Sequence, residues 1–413
     1  MTKQHIVVYN ISMNNILRPT YLAKLNQFRD VKIIKVITGV RRAGKSTLLD
    51  MYRSSLIASD IDENCIQKIN LEDARNEPLL EWHALHDHIM SQLVPNKRNY
   101  VFIDEIQNVP EFEKAVDSLF IQDNVDLYIT GSNAYFLSSE IATILTGRYI
   151  EIKVYPLSFT EYVSAFPDQP RMDVLFERYK THGSLPQTVE IDKIGGQAAV
   201  QTYLQGVYST LIHTDIVARL GVEDFKLDKV VRFVFDNIGN ITSPQKIVNA
   251  IKSDGYEISR NTVEAYLQAL IEGFVLYQAD RFDIRGKEIL KTLGKYYLVD
   301  LGLRNLLIHK EVDDAGHILE NIVYFELLRR SESVWIGKNE SKEIDFVVKT
   351  TVSGIEYYQV AETMQGVETR QRELQAFNNI TDNYPKYILT SDPGNHLYNG
   401  IQQVNVIDWL LER

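Results

Sequence analysis

Gly39-Val-Arg-Arg-Ala-Gly-Lys-Ser46 decides the fold of this chain, because its spacing is that of a phosphate-binding loop, G-x-x-x-x-G-K-[ST]. Glycines let backbone N–H groups close around a polyphosphate where a Cβ would clash. Lys45 adds a positive charge for the β- and γ-phosphates, and the Ser46 hydroxyl is a ligand type that suits Mg²⁺. We predict that phosphate is contacted by Gly39, Val40, Arg41, Arg42, Ala43, Gly44, Lys45, Ser46 and Thr47.

The residues on either side of the loop fit this interpretation. Residues 32–38 are a β-rich run with the length of a buried strand. Residues 47–58 place apolar side chains on one helical face, among them Leu48, Met51 and Leu56. A strand, a glycine loop and a helix in this order hold an anion at the helix N-terminus.

Composition bounds the class of protein. A chain of 413 residues is long enough for two or three domains, and 45% hydrophobic with 24% charged residues is typical of a globular protein. The net charge of −11 argues against whole-surface attraction to nucleic acid or anionic membrane. No apolar run has the length of a membrane span, the N-terminus lacks a signal-peptide pattern, and Cys65 is the single cysteine. We expect a cytoplasmic protein without a membrane partner.

A second apolar run, residues 99–104, ends in two acids, Asp104 and Glu105. A metal–nucleotide site needs such residues on a strand beside the phosphate loop. Asp104 would orient Mg²⁺ and its waters, and Glu105 would polarise the attacking water.

Two further polar residues follow or precede predicted strands. Residues 125–130 run into Asn133, which we expect to hydrogen-bond the γ-phosphate or the attacking water. Arg148 precedes the strand at 149–154 and has the charge to stabilise a transition state, as an arginine finger does. The sequence leaves open whether Arg148 acts in its own subunit or across the interface of a homo-oligomer.

The predicted strands near residues 32–38, 65–70, 100–104, 125–130 and 149–154 alternate with helices. This order predicts an α/β fold with a parallel sheet and right-handed crossovers. In such a sheet the ligand lies at the carboxyl ends of the strands, where we expect all of these motifs to meet.

Several segments together resemble one family. They are 37–49, Phe102-Ile-Asp-Glu-Ile-Gln107, Thr130-Gly-Ser-Asn133, Leu145-Thr-Gly-Arg148, 155–162, His182-Gly-Ser-Leu-Pro186 and Tyr297-Leu-Val-Asp-Leu-Gly-Leu303. With these the chain resembles the prokaryotic AAA-family P-loop ATPases that carry a C-terminal domain of unknown function. The resemblance implies ATP and Mg²⁺ as cofactors and hydrolysis to ADP and phosphate. We predict an ATPase domain over 1–165 and a helical linker or lid over 166–224.

Residues 225–300 have the pattern of a winged helix: three helices followed by a hairpin. On the third helix Arg260, Asn261, Glu264 and Gln268 would face outward, where such residues read base edges in DNA. The segment 281–295 carries five basic residues against two acids, a balance of +3. Winged helices also serve as lids and as docking sites for a protein client, so both interpretations stay open.

Residues 301–413 have the order α-β-β-β-α-β, which resembles the restriction-endonuclease-like fold. Such nucleases need carboxylates, here Glu320 and Asp345, and an acid-x-Lys pair on the next strand. That pair is replaced by Gln359 and Ala361. We therefore predict a nuclease-like domain without catalytic activity.

Three hypotheses for function follow. We favour a Mg²⁺-dependent ATPase whose nucleotide state repositions its C-terminal modules. The alternatives are a nucleotide-gated DNA-binding switch with little turnover and an ATP-assisted nuclease. The histidines of Trp82-His83-Ala-Leu-His86-Asp-His88 we assign to a surface helix, since no second ligand pair lies near them in the sequence.

Overall fold

The computed structural model describes residues 16–134, 147–167, 170–217, 220–221, 224–308, 314–340 and 342–412. The chain divides into two compact units, of which the first ends at Pro156 and the second begins at Leu157. The predicted boundaries at 165, 224 and 300 stay predictions.

The first unit is built on a five-stranded parallel sheet, as the sequence predicted. Its strand order is β2-β3-β4-β1-β5. Its elements are α1 (Pro19–Gln27), β1 (Ile34–Thr38), α2 (Lys45–Ala58), β2 (Ile66–Asn70), α3 (Trp82–Ser91), β3 (Asn99–Asp104), α4 (Phe112–Ile121), β4 (Val125–Gly131) and β5 (Tyr149–Lys153). β4 lies between β1 and β3, so the ends of these three strands are neighbours.

Burial explains why these runs form central strands. Every residue of β1, β3 and β4 is buried, which fits apolar strands covered on both faces. A core cluster on the sheet includes Val101 and Ile103 of β3 with Val116 and Leu119 of α4. This packing fixes the sheet and, with it, the edge at which the strands end.

The second unit begins with helices. They are α5 (Phe159–Ser164), α6 (Met172–His182), α7 (Pro186–Ser209), a π-helical stretch (Thr210–Val217), α8 (Asp224–Asp236), α9 (Pro244–Ser253) and α10 (Arg260–Glu272). Capping residues set several of these starts: the Ser243 and Ser259 hydroxyls accept N–H groups at the starts of α9 and α10. Within α7, Gly196 leaves the helical conformation with φ of 61°. No described helix has the length and apolar character that crossing a membrane requires.

An eight-stranded sheet completes the second unit, in the order β12-β13-β11-β10-β9-β8-β6-β7. Its elements are β6 (Leu276–Asp283), β7 (Glu288–Leu298), α11 (Leu301–Leu307), α12 (Ala315–Arg330), β8 (Ser333–Asn339), β9 (Lys342–Thr350), β10 (Gly354–Ala361), α13 (Val367–Ala376), β11 (Lys386–Thr390), β12 (His396–Tyr398), β13 (Ile401–Asn405) and α14 (Val406–Leu411). The α-β-β-β-α-β order predicted for this region is present from α12 to β11. The hairpin predicted as a wing, β6–β7, joins the same sheet, because β6 pairs with β8.

Two motifs of the family resemblance bind each other in the second unit. The buried carboxylate of Asp300 accepts N–H groups from Ser184 at 2.5 Å and Leu185 at 3.1 Å, and one from Leu303 at 3.2 Å. A Cβ on Gly183 would lie 2.3 Å from an oxygen of Asp300, so only glycine fits there. The motifs at 182–186 and 297–303 therefore form one packing contact.

Candidate nucleotide site

The phosphate loop connects β1 to α2 and has the predicted backbone. Gly39 and Gly44 adopt φ values of 143° and 92°, which favour glycine, and Gly44 caps α2. A Cβ on Gly39 would lie 2.1 Å from the carbonyl oxygen of Val154. Gly39 is therefore required by its packing against the end of β5, in addition to any requirement from phosphate.

Lys45 begins α2 and is 4% exposed. Its Nζ donates to the carbonyl oxygens of Gly39 at 2.9 Å and Val40 at 3.3 Å, and lies 3.6 Å from Glu105 Oε1. Burial lowers the pKa of Lys45, while the Glu105 and Asp104 carboxylates act in the opposite direction. The ammonium is thus held inside the loop and directed toward the acids of β3.

Asp104 and Glu105 lie at the end of β3 and are joined through one hydroxyl. Thr130, at the end of the neighbouring strand β4, donates its hydroxyl to Asp104 Oδ1 at 2.5 Å. The hydroxyl oxygen of Thr130 in turn accepts the backbone N–H of Glu105 at 2.8 Å. Glu105 adopts φ of 56° and ψ of 51°, a conformation that non-glycine residues rarely take outside functional sites and turns. The two acids are therefore locked in orientation by β4.

The carboxylate of Glu105 is buried and ionised. Burial opposes its ionisation, but the Lys45 ammonium and hydrogen bonds from Gln107 and Ser132 outweigh burial and lower the pKa of Glu105. Gln107 Nε2 donates to Glu105 Oε2 at 2.5 Å and to Ser132 Oγ at 3.3 Å. An ionised carboxylate with a fixed position is what a group that polarises water needs.

Asn133 and Ser46 lie at the same edge of the sheet. Asn133 is half-buried and follows β4, which ends between β1 and β3. Ser46 is the second residue of α2 and is also half-buried. The structure therefore brings together the loop residues, both acids and Asn133.

Arg148 is not brought to this site, contrary to our expectation that every motif lies at the carboxyl ends of the strands. It precedes β5, and since Tyr149 pairs with Ile34 at the start of β1, Arg148 lies at the opposite edge of the sheet. A strand of five residues separates the two edges, about 17 Å. Its guanidinium pairs with Asp117 of α4 and lies 5.8 Å from the Phe120 ring centroid. Leu145 and Thr146 of the same motif lie outside the described residues.

The double arginine of the loop has two environments. Arg41 is half-buried and donates to Glu72 Oε1 at 2.8 Å. Arg42 is exposed and has φ of 71°.

Thr130 and Gln107 were missed as site residues, although both lie in motifs quoted above. In the sequence, Thr130 is a polar residue at the end of a predicted strand, two residues before Ser132. Gln107 is a polar residue two positions after Glu105.

A second polar cluster lies in the C-terminal sheet. Lys295 of β7 is buried, and its Nζ lies 2.8 Å from Glu320, 2.7 Å from Glu343 and 3.8 Å from Asp345. Lys295 is one of the five basic residues counted in segment 281–295, but its ammonium is buried and does not add to the surface charge of that segment. The acid-x-Lys position of the sequence prediction is occupied by Gln359 and Ala361, and both are buried on β10.

Glu320 and Asp345, two of the three carboxylates in this cluster, have opposite pKa shifts. Burial opposes ionisation of Glu320, but the Lys295 ammonium and hydrogen bonds from its neighbours, including Tyr297, outweigh it and lower the pKa of Glu320. Burial, reinforced by Glu320, raises the pKa of Asp345 well above its ordinary value. Within the ranges that the structure describes, no three His, Cys, Asp or Glu side chains are arranged to hold a metal ion.

The four predicted DNA-facing residues of α10 are exposed, and three of them, Arg260, Glu264 and Gln268, pair with side chains of the same helix. On α10, Arg260 donates to Glu264 at 2.8 Å and Gln268 donates to Glu272 at 3.0 Å. In the hairpin, Arg285 pairs with Glu340 at 3.0 Å. Because Arg285 pairs with an acid outside segment 281–295, the folded protein presents less unpaired positive charge there than the balance of +3 implied.

The three histidines lie on α3, as predicted, and among their polar neighbours are the two residues that cap α3 and one residue of α4. His83 lies 2.9 Å from Glu81, His86 lies 2.9 Å from Ser118, and His88 lies 3.0 Å from Gln92.

Comparison with known proteins identifies the family to which the chain belongs. The model of an AAA domain matches residues 31–163, and that of a domain of unknown function matches residues 173–314. An uncharacterized protein of Haemophilus influenzae is 40% identical over 403 residues, which cover 96% of this chain and 99% of the relative. The chain belongs to the family of this Haemophilus influenzae protein. An uncharacterized protein of Methanocaldococcus jannaschii is 29% identical over 370 residues, covering 84% of this chain and 80% of that relative.

A solved structure shares the fold of this AAA-domain protein. The Walker-type ATPase of Pyrococcus abyssi has a TM-score of 0.52 at 15% identity, covering 71% of this chain and 96% of that chain. At this identity the likeness concerns the fold alone. The first unit accordingly has the P-loop fold of the matched AAA domain, and residues 173–314 of the second unit match the domain of unknown function.

Proposed function

We propose that this protein binds ATP with Mg²⁺ and hydrolyses it to ADP and phosphate. The observation that carries the proposal is the convergence of Lys45, Asp104 and Glu105 at one edge of the sheet, with Thr130 hydrogen-bonded to Asp104 and Glu105. A buried ammonium that faces two carboxylates beside a glycine loop is the donor set that a metal–triphosphate complex requires.

Each residue of the site has a task in this proposal. The N–H groups of residues 39–47 bind the phosphate oxygens, and Lys45 exchanges its bonds to the Gly39 and Val40 carbonyls for bonds to phosphate. Ionised Glu105 orients and polarises the attacking water, and Gln107 keeps its carboxylate in place. Asn133 hydrogen-bonds the γ-phosphate or that water.

Ser46 and Asp104 are the residues that would hold Mg²⁺. A hydroxyl and a carboxylate are oxygen ligands, and Mg²⁺ prefers oxygen and keeps several waters beside the phosphates. When bound, the ion neutralises charge on the transferred phosphoryl group. Thr130 fixes Asp104 from the side of β4, so the carboxylate would not need to reorient when the ion arrives.

Two variants test the proposal. Lys45→Ala should abolish ATP binding measured by calorimetry, and Glu105→Gln should retain binding while phosphate release falls. Lys68→Ala is the matched control, because Lys68 is a surface lysine of the same unit that pairs with Asp50. If neither variant changes phosphate release from that of the wild type, the protein is not an ATPase of this kind.

We propose further that nucleotide state repositions C-terminal modules that interact with a partner. The helices α8 to α10 with the β6–β7 hairpin would form a winged helix, and the segment from α12 onward an inactive nuclease-like domain. The DNA-binding alternative is tested by fluorescence anisotropy at stated salt with Arg281 and Arg285 reversed in charge. Supercoiled plasmid that stays unnicked in Mg²⁺ or Mn²⁺ would exclude the nuclease alternative.

Arg148 has a task only if the protein forms a homo-oligomer. Arg148 precedes β5, and one five-residue strand, about 17 Å of backbone, separates it from the edge that carries the loop of its own chain, so we expect a phosphate contact to come from a second copy. Sedimentation with and without ATP tests this point.

A further inference from the structure

Arg18 connects the phosphate loop to the last residues of the first unit. It is 3% exposed. Nη1 donates to the carbonyl oxygen of Ala43 at 3.1 Å, and Nη2 donates to those of Tyr155 at 2.8 Å and Pro156 at 3.4 Å. The guanidinium also lies 4.6 Å from the Tyr21 ring centroid. One planar group thus bonds two segments that are more than a hundred residues apart in the chain.

The second of these segments, residues 154–156, we call the exit segment, because the second unit begins at Leu157. The exit segment is held to the site by further contacts. Val154 donates its N–H to the carbonyl of Thr38 at 2.7 Å, and its own carbonyl packs against Gly39. Tyr155 donates its N–H to the hydroxyl of Tyr21 at 3.1 Å. Every residue of the exit segment therefore contacts the loop, the strand before it, or Arg18.

We propose that Arg18 is a positioning residue that couples the conformation of the phosphate loop to the exit segment. The coupling rests on the proposed function, since it requires that a polyphosphate binds the loop. Arginine suits the task because its planar fork donates in two directions at once. A lysine ammonium is a compact point charge on a flexible stem and does not span the same acceptors in fixed geometry.

The physical reason lies in the carbonyl groups of the loop. Lys45 donates to the carbonyls of Gly39 and Val40, and bound phosphate competes for that ammonium. When the peptide units of the loop turn their N–H groups toward phosphate, the carbonyl of Ala43 moves with them. A buried carbonyl or guanidinium left unpaired is costly, so Arg18 follows Ala43, and its other bonds carry the motion to Tyr155 and Pro156. Such coupling is reciprocal, so a change at the exit segment must also alter ATP affinity.

Hydrogen exchange measured by mass spectrometry on the full chain tests the proposal. The wild type is compared with and without ATPγS and Mg²⁺, following peptides that cover the loop and the exit segment. We expect exchange to slow in both. In Arg18→Lys the loop should still respond, whereas the response of the exit segment should fall at least severalfold, and the KM for ATP should rise roughly tenfold with a smaller change in kcat, since a charge-assisted hydrogen bond is lost.

The matched control is Arg98→Lys. Arg98 is a partly buried arginine of the same unit that donates to the backbone carbonyl of Asp123 at 2.6 Å. It should keep the wild-type response in both peptides. Arg18→Ala should behave as Arg18→Lys does if it folds, and its thermal melt shows whether it does.

The outcomes separate the two proposals. A full response of the exit segment in Arg18→Lys overturns the coupling, and so does a wild type in which the loop responds and the exit segment does not. In both cases the proposed ATPase stands. A wild type in which neither peptide responds, with no phosphate released, overturns both.

Discussion

Lys45 Nζ lies 3.6 Å from Glu105 Oε1, and both side chains are buried. The two groups belong to different strand–loop units and meet because β1 and β3 end at the same edge of the sheet. Each influences the other: the ammonium lowers the pKa of Glu105, and the carboxylate opposes the effect of burial on Lys45. The pair therefore keeps the carboxylate ionised at neutral pH, as the polarisation of water requires.

The first prediction concerns Glu105→Gln, which retains shape and hydrogen bonding but removes the charge. We expect kcat for ATP hydrolysis to fall by about 10²- to 10⁴-fold, the range usual for loss of a group that activates water. ATP affinity should be retained or increased, because Lys45 is then released from its carboxylate. Single-turnover phosphate release with calorimetric binding checks this. Weakened binding with unchanged kcat would contradict the assigned role.

The second prediction concerns Thr130→Val, which removes the hydroxyl between Asp104 and Glu105. Hydrogen bonds to charged groups contribute about 1.5–3 kcal/mol, so we expect kcat to fall roughly tenfold to hundredfold. The Mg²⁺ concentration for half-maximal activity should rise, because Asp104 loses its orientation. Thr188→Val is the control, since Thr188 is an equally buried threonine of the second unit whose hydroxyl donates to Leu185. If Thr130→Val and Thr188→Val lower kcat equally, the Thr130 hydroxyl contributes to stability in general and not to the orientation of Asp104 and Glu105.

The third prediction concerns Arg148→Ala. Since Arg148 lies at the far edge of the sheet and pairs with Asp117, we expect ATP affinity to stay within about twofold of the wild type, as for an exposed ion pair. Turnover at protein concentrations where the chain is monomeric should also be unchanged. A hundredfold loss of turnover under those conditions would mean that Arg148 reaches phosphate in its own chain.

The fourth prediction uses the opposite pKa shifts of Glu320 and Asp345. The folded pKa of Glu320 is lowered from 4.5, so its contribution to stability is present above that pH and is lost as the pH falls. The folded pKa of Asp345 is raised from 3.8. The contribution of Asp345 to stability is therefore present at low pH and is lost as the pH rises through the folded pKa.

Glu320→Gln should therefore destabilise the second unit at pH 7.5 by about 3 kcal/mol, because it leaves the Lys295 ammonium with fewer ionised partners. The loss of unfolding free energy in Glu320→Gln should become smaller as the pH falls toward 4. Asp345→Asn should stay within about 1 kcal/mol of the wild type or gain stability as the pH rises, because burial disfavours the charged form of the carboxyl that it replaces. Urea-induced unfolding at several pH values checks both variants. The reverse order of effects would mean that Asp345 is the ionised partner of Lys295.

The fold of the first unit could be predicted from residue patterns alone. A glycine loop with its lysine, and apolar strands that end in acids, are local patterns, and their spacing permits one arrangement of strand, loop and helix. All five strands of the first unit were predicted to within about two residues, which is the usual error at element boundaries. The order of elements from α12 to β11 was equally readable, because periodicity reports which residues are buried in each element.

Which side chains meet follows from long-range packing and could not be predicted from the sequence. The sequence shows neither that β4 lies between β1 and β3, which brings Thr130 to Asp104, nor that Arg148 begins its strand at the far edge. Lys295 was counted with the other basic residues of segment 281–295. A single lysine in an alternating strand does not indicate that three carboxylates from other elements will surround it. Arg18 was overlooked for the same reason, since its partners are backbone carbonyls, and these have no sequence signature. Strand order and long-range pairing depend on the packing of the whole sheet, and local residue patterns do not encode them.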